Sequence, residues 1–244
     1  MLGGGSPRRT QGTRPAQPLA LDDIVATAMR LVDERGPDGF SIRLIARELS
    51  VYPTAIYWHV GDRRQLVSLM GAAWMRDVMP PATGQSWVRW LEEMSFAYRA
   101  AAHRHPNLAR LIGRTLIDEP SAFELPEAIV VQLDRSGLPR EEIVHAYNAM
   151  VGATVGFVDL ELARASAASD EDRRRAEEAI RRLDPGAYPA LARYLDVLAD
   201  RAFSLRWSSG AEAPLDDSFV YLVALLTEGL ARRAEGRSVA PTGA

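Results

Sequence analysis

The sequence predicts an all-α protein in which three short N-terminal helices are joined to a larger helical unit. Two observations carry this. Apolar residues recur at the 3–4 spacing of one buried helix face from Leu21 nearly to the C-terminus, and no segment alternates apolar and polar residues as a half-buried strand would. Proline and glycine then punctuate the pattern at Gly36-Pro37-Asp38-Gly39, Pro80-Pro81, Pro106, Gly137-Leu138-Pro139, Pro185-Gly186 and the 208–214 stretch. With 244 residues, 47% of them hydrophobic and 25% charged, the chain has an ordinary globular balance and room for two unequal units.

Each element has its own justification. Leu21, Ile24, Val25, Ala28, Leu31 and Val32 form one face of a first helix whose first turn carries Asp22 and Asp23. Ser41 suits the N-cap of a second, short helix with Ile42, Ile45, Ala46 and Leu49 inward. Ser50-Val51-Tyr52 reads as a tight turn, and Pro53 suits the first position of a brief third helix ending near Val60-Gly61. Asp62 with Gln65 reads as a variant capping box opening a fourth helix, striped by Leu66, Leu69, Met70, Ala73 and Trp74. Further helices are predicted at about 86–104, 122–136, 139–165, 170–183, 188–202 and 215–234. The flanks, 1–18 and 237–244, hold little to bury, and disordered arms are expected there.

Composition excludes several classes. There is no cysteine, so disulfides and thiolate metal sites are ruled out. Lysine is absent and all 29 cations are arginine, read here as the base composition of a high-GC bacterial genome. The N-terminus lacks an apolar run before a cleavage site, and the longest apolar run, about 149–158, is short for a membrane span; a cytoplasmic location and no membrane partner are expected. The formal charge of −3 is uneven: residues 1–80 hold 10 Arg against 8 acids, net +2, and residues 81–244 hold 19 against 24, net −5. Such asymmetry hints at a nucleic-acid-binding end. No Ser-His-Asp order, metal-ligand spacing, paired carboxylates or Gly-rich phosphate loop stands out, so neither an enzyme nor a bound cofactor or metal is expected. The two histidines of His103-Arg104-His105 point different ways on a helix and have no evident carboxylate partner in sequence, which reads as a solvated helix end.

The stretch Ser-Val-Tyr-Pro-Thr-Ala-Ile-Tyr-Trp-His-Val, residues 50–60, crowds Tyr52, Tyr57, Trp58 and His59 onto one short helix. Three short helices with a three-residue turn between the second and third have the spacing of a helix-turn-helix, whose third helix must show an exposed face to the major groove. With Val51, Ile56 and Val60 inward, Tyr52, Thr54, Tyr57, Trp58 and His59 are left outside, able to meet phosphates, base edges or a thymine methyl. Composition alone also allows these aromatics to pack a core.

The run from Leu21 to Leu69 resembles the DNA-binding domain of the tetracycline-repressor (TetR) family. The resemblance is carried by Gly39-Phe40-Ser41-Ile42-Arg43-Leu44-Ile45-Ala46-Arg47-Glu48-Leu49-Ser50-Val51 and by Ala55-Ile56-Tyr57-Trp58-His59-Val60-Gly61-Asp62-Arg63-Arg64-Gln65-Leu66. It implies a homodimeric repressor that binds a palindromic double-stranded DNA operator and is released by a small molecule. It also implies Tyr57, Arg63 and Ser41 as phosphate contacts, Arg43 as a guanine reader through O6 and N7, and Tyr52, Pro53, Thr54, Trp58 and His59 as facing bases or backbone. Two departures stand out: Ser50 replaces the customary turn glycine, requiring a left-handed serine or a different bend, and Val60 replaces the commoner phenylalanine.

On this resemblance residues 19–66 are the DNA-binding domain and 67–236 the effector-binding and dimerisation domain. Trp87, Trp90, Leu91, Met94 and Tyr98 share one apolar face; with Trp74, Phe123, Met150 and Phe157 they are candidates to line a pocket for a bulky apolar effector, or simply to fill the core. Gly152, Ala153 and Gly156 allow close helix approach, and Phe219, Leu222, Val223, Leu226 and Leu230 form a stripe for a four-helix dimer interface or an internal core. Arg110-Leu111-Ile112 stands where the family's namesake holds a magnesium-binding histidine, so recognition of a metal–drug chelate is not expected. A ligand-independent regulator or an activator remains the alternative reading.

Overall fold

The computed structural model describes residues 19–112, 120–163, 169–210 and 212–238. All the regular structure among them is helical. Helix α1 (Leu21–Arg35) packs the predicted face, with Ile24, Ala28, Leu31 and Val32 fully buried. α2 (Ile42–Glu48) starts on the Ser41 hydroxyl, which accepts from the Leu44 N–H at 3.2 Å. α3 (Pro53–Val60) begins with proline at N1 and inserts Ile56 and Val60 into the core. α4 (Arg63–Val78) is capped by Asp62, whose Oδ1 accepts from the Gln65 N–H at 2.8 Å.

The α2–α3 turn resolves the missing glycine: Ser50 adopts φ 54°, so the serine takes the left-handed conformation itself. Its amide donates to Arg47 O and the Val51 amide to Ala46 O, which closes the turn around it.

α5 (Trp87–Arg104), capped by Ser86, is the central helix of the larger part and packs against α4, α6 (Pro106–Ile112), α7 (Glu124–Arg135), α8 (Arg140–Leu162) and α12 (Asp216–Ser238). Three expectations need correction. The break expected near Pro106 is present at His105, but the chain resumes at once in a helix the sequence reading did not include: Pro106 is the first residue of α6, where its missing N–H is not needed. The single helix expected at 188–202 is two short ones, α10 (Pro189–Arg193) and α11 (Leu195–Leu198), and Asp200 at φ 59° ends them by accepting from the Trp207 and Ser208 amides. His103 and His105 are not a solvated end: His103 Nε2 lies 2.9 Å from Glu161 Oε2, and His105 Nδ1 lies 2.5 Å from Asp33 Oδ2. These carboxylates are 58 and 72 residues away along the chain, beyond the reach of local sequence reasoning.

α9 (Asp170–Arg181) is the exposed, ion-paired helix its sequence describes, opened by a Ser169–Asp172 capping box and laced by Arg175–Glu171 and Arg181–Glu177. The α12 stripe packs inside its own subunit: Phe219, Val223 and Leu230 are buried, and Val220, Tyr221 and Leu225 face out. α8 is long and apolar enough by length and composition to cross a membrane. Its buried Glu161, ion-paired to Arg99, marks it instead as a helix of a packed bundle. Of the arms expected at 1–18 and 237–244, Arg237 and Ser238 are instead the last residues of α12, and the rest lie outside the described residues.

Ser50 yields a stability prediction. Glycine relieves a left-handed cost of about 1–2 kcal/mol, and its greater unfolded-chain entropy offsets part of that gain. Ser50→Gly is therefore expected to stabilise the protein by about 0.5–1 kcal/mol, and Ser50→Val to destabilise it by more than about 1 kcal/mol. Urea unfolding midpoints of the two variants check the opposite signs.

Candidate nucleic-acid interface and internal cavity

On α3 the buried side is Ile56 and Val60, and the opposite side is a row of aromatics in water. Tyr52 is 82% exposed and Trp58 92%, with Tyr57, Thr54 and His59 also outside and Pro53 half-buried. Leaving an indole in solvent forgoes about 2 kcal/mol of burial or more, so this arrangement stabilises the protein only when something covers it. Arg43, in the first turn of α2, is exposed and has no hydrogen-bond or ion-pair partner among the described residues. Ser41 uses a lone pair for its cap, which leaves the hydroxyl proton available to an acceptor. Arg63 is engaged: it donates to Pro37 O at 3.0 Å, with its guanidinium 4.4 Å above the Phe40 ring. That contact staples the start of α4 to the α1–α2 corner.

Inside the larger part, a cavity of about 200 Å³ lies between four helices. α4 contributes Met75, α5 contributes Met94 and Tyr98, α7 contributes Leu125, Pro126 and Ile129, and α8 contributes Tyr147, Val151, Thr154 and Val155. Of the nine residues the sequence nominates, Met94 and Tyr98 line it, and Leu91 is fully buried in the core. Trp74 sits behind Tyr98 in an edge-to-face contact at 5.1 Å, fully buried, its indole N–H without a hydrogen-bond partner among the described residues. Trp90 donates to Pro80 O at 3.2 Å, and Met150 is buried in the core. Trp87 is partly buried against the core, and Phe157 packs edge-to-face against Phe203 and Phe219. Phe123 is 60% exposed and lines an outer groove that shares Pro126 and Tyr147 with the cavity. The α8 contributors follow i, i+4, i+7, i+8, a periodicity that was available in the sequence. Burial, with the nearby Asp159 charge, pushes the Tyr98 phenol well up, and burial raises Tyr147 too, so both stay neutral hydrogen-bond donors. Thr154 donates to Ser95 at 3.2 Å, and Ser95 to Leu91 O at 2.9 Å.

One carboxylate organises the surrounding helices. Glu161 on α8 is fully buried. It accepts two hydrogen bonds from Arg99 (2.9 and 2.7 Å), one from His103 and one from the Leu215 amide at 2.7 Å. Burial alone would raise its pKa, but Arg99, His103 and the amide outweigh that and hold it at about 2, against an ordinary 4.5.

Residues 24–70 match the family described as "Bacterial regulatory proteins, tetR family", and residues 80–205 match "Tetracyclin repressor-like, C-terminal domain". The chain belongs to the tetR family. It is 30% identical over 144 residues to the tetracycline repressor protein class E of Escherichia coli, covering 57% of this chain and 67% of that one. It is also 29% identical over 194 residues to the HTH-type transcriptional repressor DrrR1 of Streptomyces coeruleorubidus, covering 76% and 71%. The chain thus spans about two thirds of the length of the curated repressors it matches. Its fold is similar to apo ActR from Streptomyces coelicolor, with a TM-score of 0.70 at 22% identity over 91% of this chain and 99% of that one. ActR is also known in complex with actinorhodin, and that structure has a TM-score of 0.68 at 21% identity over 88% and 99%. Within this tetR-family fold, the exposed row of α3 belongs to the DNA-binding helix-turn-helix.

The Glu161 cluster carries a pH dependence with a definite sign. Its folded pKa is depressed, so its contribution is complete above about pH 4.5 and is lost as pH falls toward 2. Glu161→Gln is expected to lower stability at pH 7 by about 2 kcal/mol and to flatten the acid limb. Urea unfolding of both proteins from pH 7 down to pH 2 tests this.

Proposed function

We propose that this tetR-family protein is a homodimeric repressor whose paired α3 helices read a palindromic operator in the bacterial cytoplasm, and that a small apolar molecule in the cavity releases it. The observation that carries this is the run of α4. Its first residue, Arg63, staples the helix-turn-helix, and Met75, three turns later, lines the cavity. A ligand pressing on Met75 therefore acts on the same rigid helix that holds the reading head.

In a two-fold dimer the recognition helices must sit about 34–36 Å apart to enter successive major grooves. The ligand needs only to bind better to the arrangement with the wrong spacing, and its differential affinity sets how far the population moves. The outward faces of α8 and α12 supply a surface for the dimer: Val144, Leu160, Val220, Tyr221 and Leu225 are exposed, and a Cβ at Gly152 or Gly156 would meet nothing within 4 Å. In this reading residues 19–66 bind DNA and 67–236 bind effector and partner. Arg43 reads a guanine; Ser41, Tyr57 and Arg63 hold phosphates; and Tyr52, Pro53, Thr54, Trp58 and His59 face the groove.

Fluorescence anisotropy against DNA from upstream of the protein's own gene, with random DNA as competitor at about 150 mM salt, tests the reading. Specific operators bind roughly 10³–10⁷ times tighter than random sequence. Arg43→Ala is expected to cost about 1–3 kcal/mol of operator binding and to relax one base preference; unchanged affinity would remove Arg43 from the interface. Arg63→Ala is expected to weaken specific and random DNA alike and to lower stability by about 1 kcal/mol. Filling the cavity with Val151→Trp should leave operator affinity intact and abolish release by any effector found in a ligand screen.

A further inference from the structure

The His103-Arg104-His105 stretch stands at the corner where α5 ends and α6 begins, and its two imidazoles face different halves of the molecule. His103, in the last turn of α5, reaches Glu161 on α8, the carboxylate that also binds Arg99 of α5 and the amide leading into α12. His105, the α5 C-cap, has left helical geometry (φ −132°, ψ 60°) and turns the other way, to Asp33 in the last turn of α1. Two residues on, Asn107 donates to the Asp33 carbonyl at 3.1 Å. The second Asp33 oxygen, Oδ1, is buried and has no hydrogen-bond partner among the described residues, where His105 is the side chain that satisfies that carboxylate. Arg99 is stacked 5.1 Å from Phe219, which fixes the Glu161 side of the corner in the core. The other side joins α1 to the start of α6 through His105 and Asn107.

We propose that His103 and His105 are positioning residues that form a two-way clamp, tying the Glu161 cluster of the effector domain to α1 of the DNA-binding domain and so fixing the angle at which the helix-turn-helix is presented. This rests on the repressor reading for its effect on operator binding, but not for the clamp itself. A loosened clamp broadens the spacing of the two recognition helices. That weakens simultaneous engagement of two half-sites and leaves non-specific contacts almost unchanged.

The test uses the full-length protein and three variants. His105→Phe keeps the ring shape without the N–H, His105→Asn restores a donor near the position of Nδ1, and Asp33→Ala breaks the same contact from α1. Two readouts are taken: the ratio of operator to random-DNA affinity, and amide hydrogen exchange of residues 29–35 and 106–112. His105→Phe and Asp33→Ala should lower the affinity ratio roughly tenfold, the scale of one hydrogen bond to a charged group. They should also speed exchange in both segments together, and His105→Asn should restore both readouts. Wild-type exchange in His105→Phe and Asp33→Ala would overturn the clamp, as would an Asn variant no better than Phe. If the wild-type protein itself fails to distinguish operator from random DNA, the repressor reading falls, and the exchange result still decides the clamp.

Discussion

The buried carboxylate of Glu161 is the constraint around which the larger half of this molecule is arranged. A charge taken out of water is tolerated only when every lone pair finds a donor. Here the donors come from three places: Arg99 and His103 on α5, and the Leu215 amide at the start of α12. Satisfying one side chain on α8 therefore fixes the register of α5 and α12 against it. The Gly210 amide adds a bond to the Glu161 carbonyl, and a Cβ at Gly210 would come within 2.6 Å of the Glu161 side chain. Gly210 and Leu215 are held by the same residue that holds the helices.

The smaller half obeys a different rule. Its helices are too short to be stable by themselves, and its core of Ile24, Leu31, Ile45, Ile56 and Leu66 makes them one unit. That core takes one face of α3 and leaves the other to carry large aromatics in solvent. Exposed Trp58 and Tyr52, beside an Arg43 with no partner among the described residues, form a surface organised for contact with something outside the chain, and in the proposed reading that partner is DNA.

α4 belongs to both halves. Its buried residues include Leu66 and Met70 near the reading head and Trp74 and Val78 near the larger core. A helix with buried residues from Leu66 to Val78 moves as a rigid body or hardly at all, and the proposed mechanism uses this to carry a small displacement at Met75 to the helix-turn-helix. Trp74, with an indole N–H that no group among the described residues satisfies, lies at the point where cavity-lining Tyr98 meets this helix.

The sequence by itself determined the local structure. Helical periodicity, Ser41, Asp62 and Ser86 as caps, and the proline and glycine breaks are all signals between neighbours within about four residues, and they survive translation into coordinates. The exposed row on α3 was legible for the same reason: once Ile56 and Val60 point inward, helical geometry sends the aromatics out. What only the tertiary structure decided was anything requiring two distant segments to meet. No local signal separates Met94 and Tyr98, which line the cavity, from Trp90 and Met150, which fill the core, because all four are equally apolar and the difference lies in what α7 and α8 place opposite them. Nor does any local signal reveal that two histidines two residues apart each own a carboxylate. Glu161 and Asp33 are brought to them by the packing of α8 and α1, and ion pairs of that range are written in the fold rather than in the neighbourhood of either residue.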